Sequence, residues 1–182
     1  MLRGKKVNLR PLEKKDSNLI VRWRNDPRVL RSFFSPFLIH PAGQEKWFES
    51  LQSDPKRLVF IIETPEGKPA GMVGLDNIDR KNQQCENGFL LVDPDQPDNA
   101  WVFESVFLLM EYAFKELNMH RIYSITYAER FENDWFKFTG WQQEVVLRQS
   151  VFMGGKFHDR IVWGVLRDEW FESYYGTGES RK

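Results

Sequence analysis

The chain has 182 residues, enough for one domain with a sizeable core. Its 26 Lys and Arg balance 26 Asp and Glu, so the formal net charge is zero. That excludes a general nucleic-acid coat or a polybasic membrane anchor, both of which need excess positive charge. Aromatic residues make up 15% of the chain, with 15 Phe and 7 Trp, a load that points first to an aromatic core. The single cysteine, Cys85, cannot form an internal disulfide and has no neighbouring His, so it reads as a buried spectator. No apolar run marks a signal peptide, and "VFLLMEYAF" is too short and too charged to span a bilayer. These features predict a soluble cytoplasmic protein.

In chain order, "KKVNLRPL" alternates Val7 and Leu9 with polar neighbours, as an opening strand does. A helix follows over Lys15 to Arg24, with Leu19, Ile20 and Trp23 on one face and Asp16 or Ser17 as its cap. "NDPRV" ends it, because the residue before a proline disfavours helical geometry. Pro41 to Leu51 reads as a second helix. The period then changes. "RLVFIIET", "PAGMVGLDNID" and "QCENGFLLVD" are three strands joined too closely for crossover helices, so they form an antiparallel meander. From about Val102 to Asn118 the apolar residues Val102, Val106, Leu109, Met110, Ala113 and Leu117 recur at helical steps. "RIYSITYA" is a strand, and "NDWFKFTGW" is a short helix with Gly140 as its C-cap. "EVVLRQSVFM" and "DRIVWGVL" close the fold as two strands, with His158 and Asp159 in their turn.

The predicted order is β-α-α-β-β-β-α-β-α-β-β. This is an α/β (α+β) fold with a mixed, mostly antiparallel sheet and helices on both faces. Residues 1–175 make one domain, and residues 176–182 make a frayed tail.

This order, with the segments "VNLRPLEKKD", "WRNDPRV", "GKPAGMVGLDNID", "ENGFLLVDP", "LMEYAFKELNMHRIYSITYAE", "FTGW" and "GGKFHDRIVWGVL", resembles the GNAT superfamily of N-acetyltransferases over nearly the whole chain. The branch it resembles includes ribosomal-protein and amino-sugar acetyltransferases. The resemblance implies acetyl-CoA as co-substrate, with its pantetheine arm along Leu90, Leu91 and Val92 by strand addition. It implies a pyrophosphate at the N-terminus of the long helix, where open N–H groups and the helix dipole favour an anion. The loop for that phosphate would be Gln96-Pro97-Asp98-Asn99-Ala100-Trp101. Gln96 matches the family pattern, while Asn99 and Trp101 stand where the family has small residues. Asp93, Asp95 and Asp98 add negative charge, Pro97 removes a donor, and Trp101 crowds the loop unless its ring points away. The same residues also read as an ordinary capped helix start with Asp98 or Asn99 as N-cap.

The resemblance further implies Glu86 as a general base. The usual acidic Tyr position falls on Phe136, with Tyr123 or Tyr127 as substitutes nearby. Glu129 stands where an Asn often helps hold the cofactor. Trp23, Arg24, Asn25 and Arg31 are candidates for holding a sugar or phosphate-bearing acceptor, since Arg grips phosphate bidentately. They also read as core and surface residues. No metal-ligand spacing is present. Two functions follow. One is direct acetyl transfer to a primary amine of a small molecule, such as a nucleotide-linked amino sugar, or to a protein N-terminus. The other is a GNAT-fold binding or partner protein that has lost the transfer. A homodimer fits the aromatic-rich surface strands.

Overall fold

In the computed structural model, residues 1–35, 37–96, 100–128 and 132–176 are described. The elements are β1 (Leu2–Arg3), β2 (Asn8–Pro11), a 3-10 turn (Lys14–Asp16), α1 (Ser17–Asn25), α2 (Pro27–Leu30), α3 (Pro41–Gln52), β3 (Leu58–Glu63), β4 (Pro69–Asp79), β5 (Gln84–Val92), α4 (Ala100–Lys115), β6 (Arg121–Tyr127), α5 (Glu132–Phe138), β7 (Gln142–Met153), β8 (Lys156–Leu166) and α6 (Arg167–Tyr175). One eight-stranded sheet runs in the order β1-β2-β3-β4-β5-β6-β8-β7. Every neighbouring pair is antiparallel except β5 and β6. No helix among the described residues is long and apolar enough to cross a membrane.

The period-2 strands sort side chains onto two faces. Ile62, Val73 and Ile122 join one cluster with Val106, Leu109, Met110, Ala113 and Phe114 of α4, Phe136 of α5, and Trp170 and Phe171 of α6. Their neighbours Ile61, Met72 and Leu91 join the other cluster with Ile20 and Trp23 of α1 and Trp47 of α3. The mixed sheet with helices on both faces is thus the predicted one. Each fully buried Leu, Met or Phe on the α4 stripe stabilises the fold by about 1.5–3 kcal/mol.

Three local features differ from expectation. α6 exists where the sequence pattern predicted no further element. It forms because Trp170 packs against Phe107 and Phe114 of α4, with ring centroids 5.1 and 5.5 Å apart. "NDPRV" starts a second helix as well as ending the first: Asp26 caps α2 by accepting from Arg28 N at 2.8 Å, and Pro27 takes its first turn. His158 and Asp159 lie within β8, and the turn before it is made by Gly154 and Gly155. Gly140 does end the α5 segment at φ +81, and a Cβ there would also strike Ser173 Oγ. The tail beyond Gly176 lies outside the described residues.

α1 is fixed to the sheet by a buried charge cluster. Arg10 of β2 grips Asp16 bidentately at 2.7 and 2.8 Å and reaches Glu63 of β3 at 2.6 Å. Asp16 occupies the N-cap position of α1, but its carboxylate turns to Arg10 and to Glu13 N instead of capping the helix. Burial alone would raise the Asp16 pKa; the Arg10 contacts outweigh it, and the carboxyl sits below its ordinary range. On the opposite side, Glu104 of α4 accepts from Lys5 N, Lys6 N and Val7 N at 2.7 to 3.0 Å, tying the N-terminal turn to the core.

Replacing Arg10 by Met leaves two carboxylates facing each other without their cation, and urea unfolding at pH 7 should show a loss of about 3–5 kcal/mol. Because the folded Asp16 pKa is depressed, its contribution is complete above about pH 4 and fades as pH falls through the folded value. The gap between wild type and R10M should therefore narrow below about pH 4 in unfolding curves taken as a pH series.

Candidate active site

β5 and β6 run parallel, and they pair only at Gln84↔Arg121, Cys85↔Ile122 and Glu86↔Tyr123. Beyond that point β5 continues to Val92 on β4, while β6 continues to Tyr127 on β8. The parting coincides with a bulge. Leu75 faces Asn87 and Gly74 faces Phe89, so Gly88 is an extra residue that bends β5. Ser124 Oγ donates to Asn87 O at 3.2 Å across the apex of this fork.

The phase of the open arm follows from one bond. Asp93 N donates to Ala70 O at 2.8 Å, so Asp93 and Leu91 turn their backbone groups toward β4. Alternation then turns those of Leu90 and Val92 to the fork. Their side chains, by contrast, pack on the α4 cluster, while Leu91 is buried on the other face.

The turn from β5 to α4 is organised by its own acids. Asp93 is 7% exposed, accepts from Asp95 N at 3.1 Å, and has Arg22 at 3.7 Å. Arg28 of α2 pairs with Asp95 at 2.8 Å and donates to Pro94 O at 3.2 Å. The charge that the sequence set against a phosphate is thus matched by two arginines at these positions. Gln96 is half-buried, with its N–H on Asp93 O. Pro97, Asp98, Asn99 and Glu129 lie outside the described residues. Ala100 opens α4. The indole of Trp101 is 9% exposed and belongs to the core cluster, so the ring points inward and what Trp101 offers an anion is backbone.

At the fork, Glu86 of β5 lies opposite Asp76 of β4 and Tyr123 of β6. Asn77 Nδ2 donates to Glu86 Oε2 at 2.8 Å. Burial raises the Glu86 pKa above its ordinary range; Asp76 adds to the rise, while Asn77 and Tyr123 restrain it. The Tyr123 hydroxyl is raised as well, by burial and by the Glu86 charge. Asn77 and Tyr123 line a cleft of about 550 Å³ that also includes Lys56, Asp79, Arg80 and Gln84. Asn77 carries no sequence signal: its position beside Glu86 depends on a bulge in β4 that nothing in "LDNID" announces.

The residues expected around an acceptor divide. Trp23 is fully buried beneath α1 and has no surface for a ligand. Asn25 clamps Ile39, donating to its carbonyl and accepting from its N–H, both at 2.8 Å. Arg24 donates to Ser35 O at 2.6 Å and stacks 3.7 Å over Phe33, with burial lowering its pKa. Arg31 is exposed. These four do not converge on one point. The wall facing the open arm of β6 is aromatic instead: Phe34 lies 6.4 Å from Tyr127 and 5.9 Å from the Arg160 guanidinium, and Tyr127 lies 6.0 Å from His158. Phe136 is buried and stacked on Trp163 at 5.5 Å, which leaves Tyr123 and Tyr127 as the phenols near the fork. Among the described residues no group of His, Cys, Asp and Glu could hold a metal ion.

Residues 6–130 match the model of the acetyltransferase (GNAT) domain. The chain belongs to the GNAT family of acetyltransferases. The family uses acetyl-CoA as co-substrate. The spermidine N(1)-acetyltransferase of Escherichia coli (strain K12) is 22% identical over 96% of this chain and 93% of its own length. An uncharacterized SPbeta prophage-derived N-acetyltransferase, YokL, of Bacillus subtilis (strain 168) is 23% identical over 95% of this chain and 96% of its length. The crystal structure of spermidine N-acetyltransferase from Vibrio cholerae in complex with CoA and spermine is similar in fold, with a TM-score of 0.85 at 20% identity, covering 92% of this chain and 99% of that one. A dodecameric structure of the Vibrio cholerae enzyme gives 0.80 at 19% identity, covering 96% and 99%.

The residues present fit the co-substrate: a strand edge with no strand partner among the described residues suits an amide-bearing arm, and α4 begins just beyond its end. Cys85 is not poised as a nucleophile. It is fully buried, and burial pushes its thiol up to about 12. An aromatic disulfide reagent at pH 8 should leave the native thiol untouched and titrate one equivalent in urea. Trp101→Ala should cost about 3–5 kcal/mol in thermal or urea unfolding, as expected of an indole in the core.

Proposed function

We propose that this protein transfers the acetyl group of acetyl-CoA to a primary amine of a small cationic molecule of the polyamine class, with Glu86 as general base. The observation that carries this reading is the fork itself: a raised-pKa carboxylate stands where two parallel strands part, beside an open strand edge. Acetyl-CoA supplies the acetyl group as a thioester. Leu90 and Val92 offer backbone donors and acceptors to its amide arm, and the first N–H groups of α4, from Ala100 and Trp101 onward, receive its phosphates. Glu86 takes the proton that the ammonium must lose before its nitrogen can attack, directly or through one water. The C–S bond breaks as the C–N bond forms; the surplus proton of the acylated nitrogen passes through solvent to the departing thiolate, and CoA leaves as the thiol.

Two things favour a cationic acceptor over a phosphate-bearing one. Glu86 stands at the apex with neutral donors as its partners, so its negative charge is left to attract an ammonium. The guanidinium of Arg24 is tied to Ser35 O and Phe33, and those of Arg22 and Arg28 to Asp93 and Asp95. The relatives named for spermidine point the same way. Exposed Val145, Val146, Phe152 and Phe157 on β7 and β8 suit self-association, as in the dodecameric relative; light scattering measures it.

The test is release of CoA thiol from acetyl-CoA with spermidine, a nucleotide-linked amino sugar and a short peptide with a free N-terminus, alongside thermal melts. Acetyl-CoA at a hundredfold excess over its Kd should stabilise the fold by about 2.7 kcal/mol, and spermidine should be consumed. A melting shift without consumption of any acceptor would identify a binding protein that has lost the transfer. No shift at millimolar acetyl-CoA would end the proposal. The kcat/KM profile should fall on the acid side at a pH above the ordinary carboxylate range, because a protonated Glu86 cannot accept a proton. Glu86→Gln should lower kcat by about 10²–10⁴-fold and remove that limb.

A further inference from the structure

We infer that Asn77 is a positioning residue for the base, holding the Glu86 carboxylate at the fork in the orientation from which it takes the proton of the acceptor amine. This rests on the reading of Glu86 as base. Asn77 does not touch the reacting atoms; it acts through Glu86.

The local backbone explains why an asparagine stands there. Asp76 pairs with Glu86 and Asp79 pairs with Gln84, so β4 uses three steps where β5 uses two. The extra residue is accommodated with Asn77 at φ +51, in the left-handed region that most side chains avoid and asparagine tolerates. In that conformation the two polar groups of Asn77 serve two carboxylates. Its backbone N–H donates to Asp76 Oδ1 at 2.8 Å, and its side-chain amide donates to Glu86 Oε2 at 2.8 Å. Arg57 Nε also reaches Asp76 Oδ1, at 3.1 Å. Asp76 is therefore held by Asn77 and Arg57, and Glu86 by the amide of Asn77.

The charged and titratable groups that face Glu86 are Asp76 from β4 and Tyr123 from β6; Arg57 stands behind Asp76, and the Arg121 guanidinium lies 5.2 Å over the Tyr123 ring. Burial and Asp76 both disfavour the ionised base, and the Asn77 amide, with Tyr123 as a lesser partner, opposes them without adding a charge to the site. A lysine or arginine in its place would hold the carboxylate in an ion pair and lower its basicity. Asn77 is exposed and lines the cleft together with Tyr123.

A merely structural Asn77 would be replaced without loss by glycine, which adopts φ +51 at no steric cost. The experiment therefore compares wild type, Asn77→Gly and Asn77→Asp as full-length chains. Carbon-13 labelled glutamate reads the Glu86 titration by NMR in the free protein, and Glu86→Gln identifies the signal. Loss of the amide donor should raise the Glu86 pKa by about one pH unit in N77G. N77D should raise it further, since it adds a second carboxylate. The acid limb of kcat/KM should move by the same interval, with KM for acetyl-CoA unchanged. A Glu86 titration at the same pH in N77G as in wild type overturns the inference, even if Glu86→Gln is inactive. If Glu86→Gln keeps wild-type turnover, the base assignment falls and takes the positioning role with it, whatever the NMR reads.

Discussion

The structure depends on where one parallel strand pair stops. Three residue pairs join β5 to β6, and then a bulge at Asn87 and Gly88 turns the strands apart. A strand interior that abandons its ladder leaves amide and carbonyl groups without strand partners, and such groups are unfavourable away from water. An extended chain with amides of its own would satisfy them, and that is the place the proposed function gives to the pantetheine arm of the co-substrate. The bulge therefore does two jobs with one extra residue. It opens the edge that a ligand can pair with, and it sets Glu86 at the last closed position, where burial makes a carboxylate more basic.

Charge is arranged around that fork by pairing, in a chain with no net charge to spend. Arg22 and Arg28, from the two helices that wall one face, reach across to Asp93 and Asp95 in the turn before α4. Asp76 is met by Arg57, and Asp16 and Glu63 by Arg10. Glu86 is the exception among these carboxylates: its partners are the neutral amide of Asn77 and the phenol of Tyr123. A carboxylate held by neutral donors keeps its ability to accept a proton, which one locked to a guanidinium loses.

The fold was legible because its signals are local and periodic. The stripe of α4, the three-strand meander and Gly140 each follow from spacing or from a single backbone requirement. α6 was less so: aromatic residues are mediocre helix formers, and Trp170 and Phe171 become helical through packing against α4, far away in sequence. The site was legible in part. That Glu86 and the open backbone of β5 lie at the fork follows from strand order. The sequence displays the acids of the turn but not their arginines, which lie 71 and 67 positions away. It displays Trp23 and Trp101 as large aromatics without saying that both face inward. The contact of Asn77 with Glu86 was illegible, because it follows from a register shift that only the paired strands define.

β7 ends the sheet as an outer strand of twelve residues, with Val145 and Val146 exposed. Its pairing with β8 is broken twice, between Gln143 and Val145 and between Leu147 and Val151. Each irregularity twists the rim, so an approaching foreign strand would find matching amides over a few residues and then fall out of step. The rim can thus carry exposed valines and still offer a poor template for growing into fibrils.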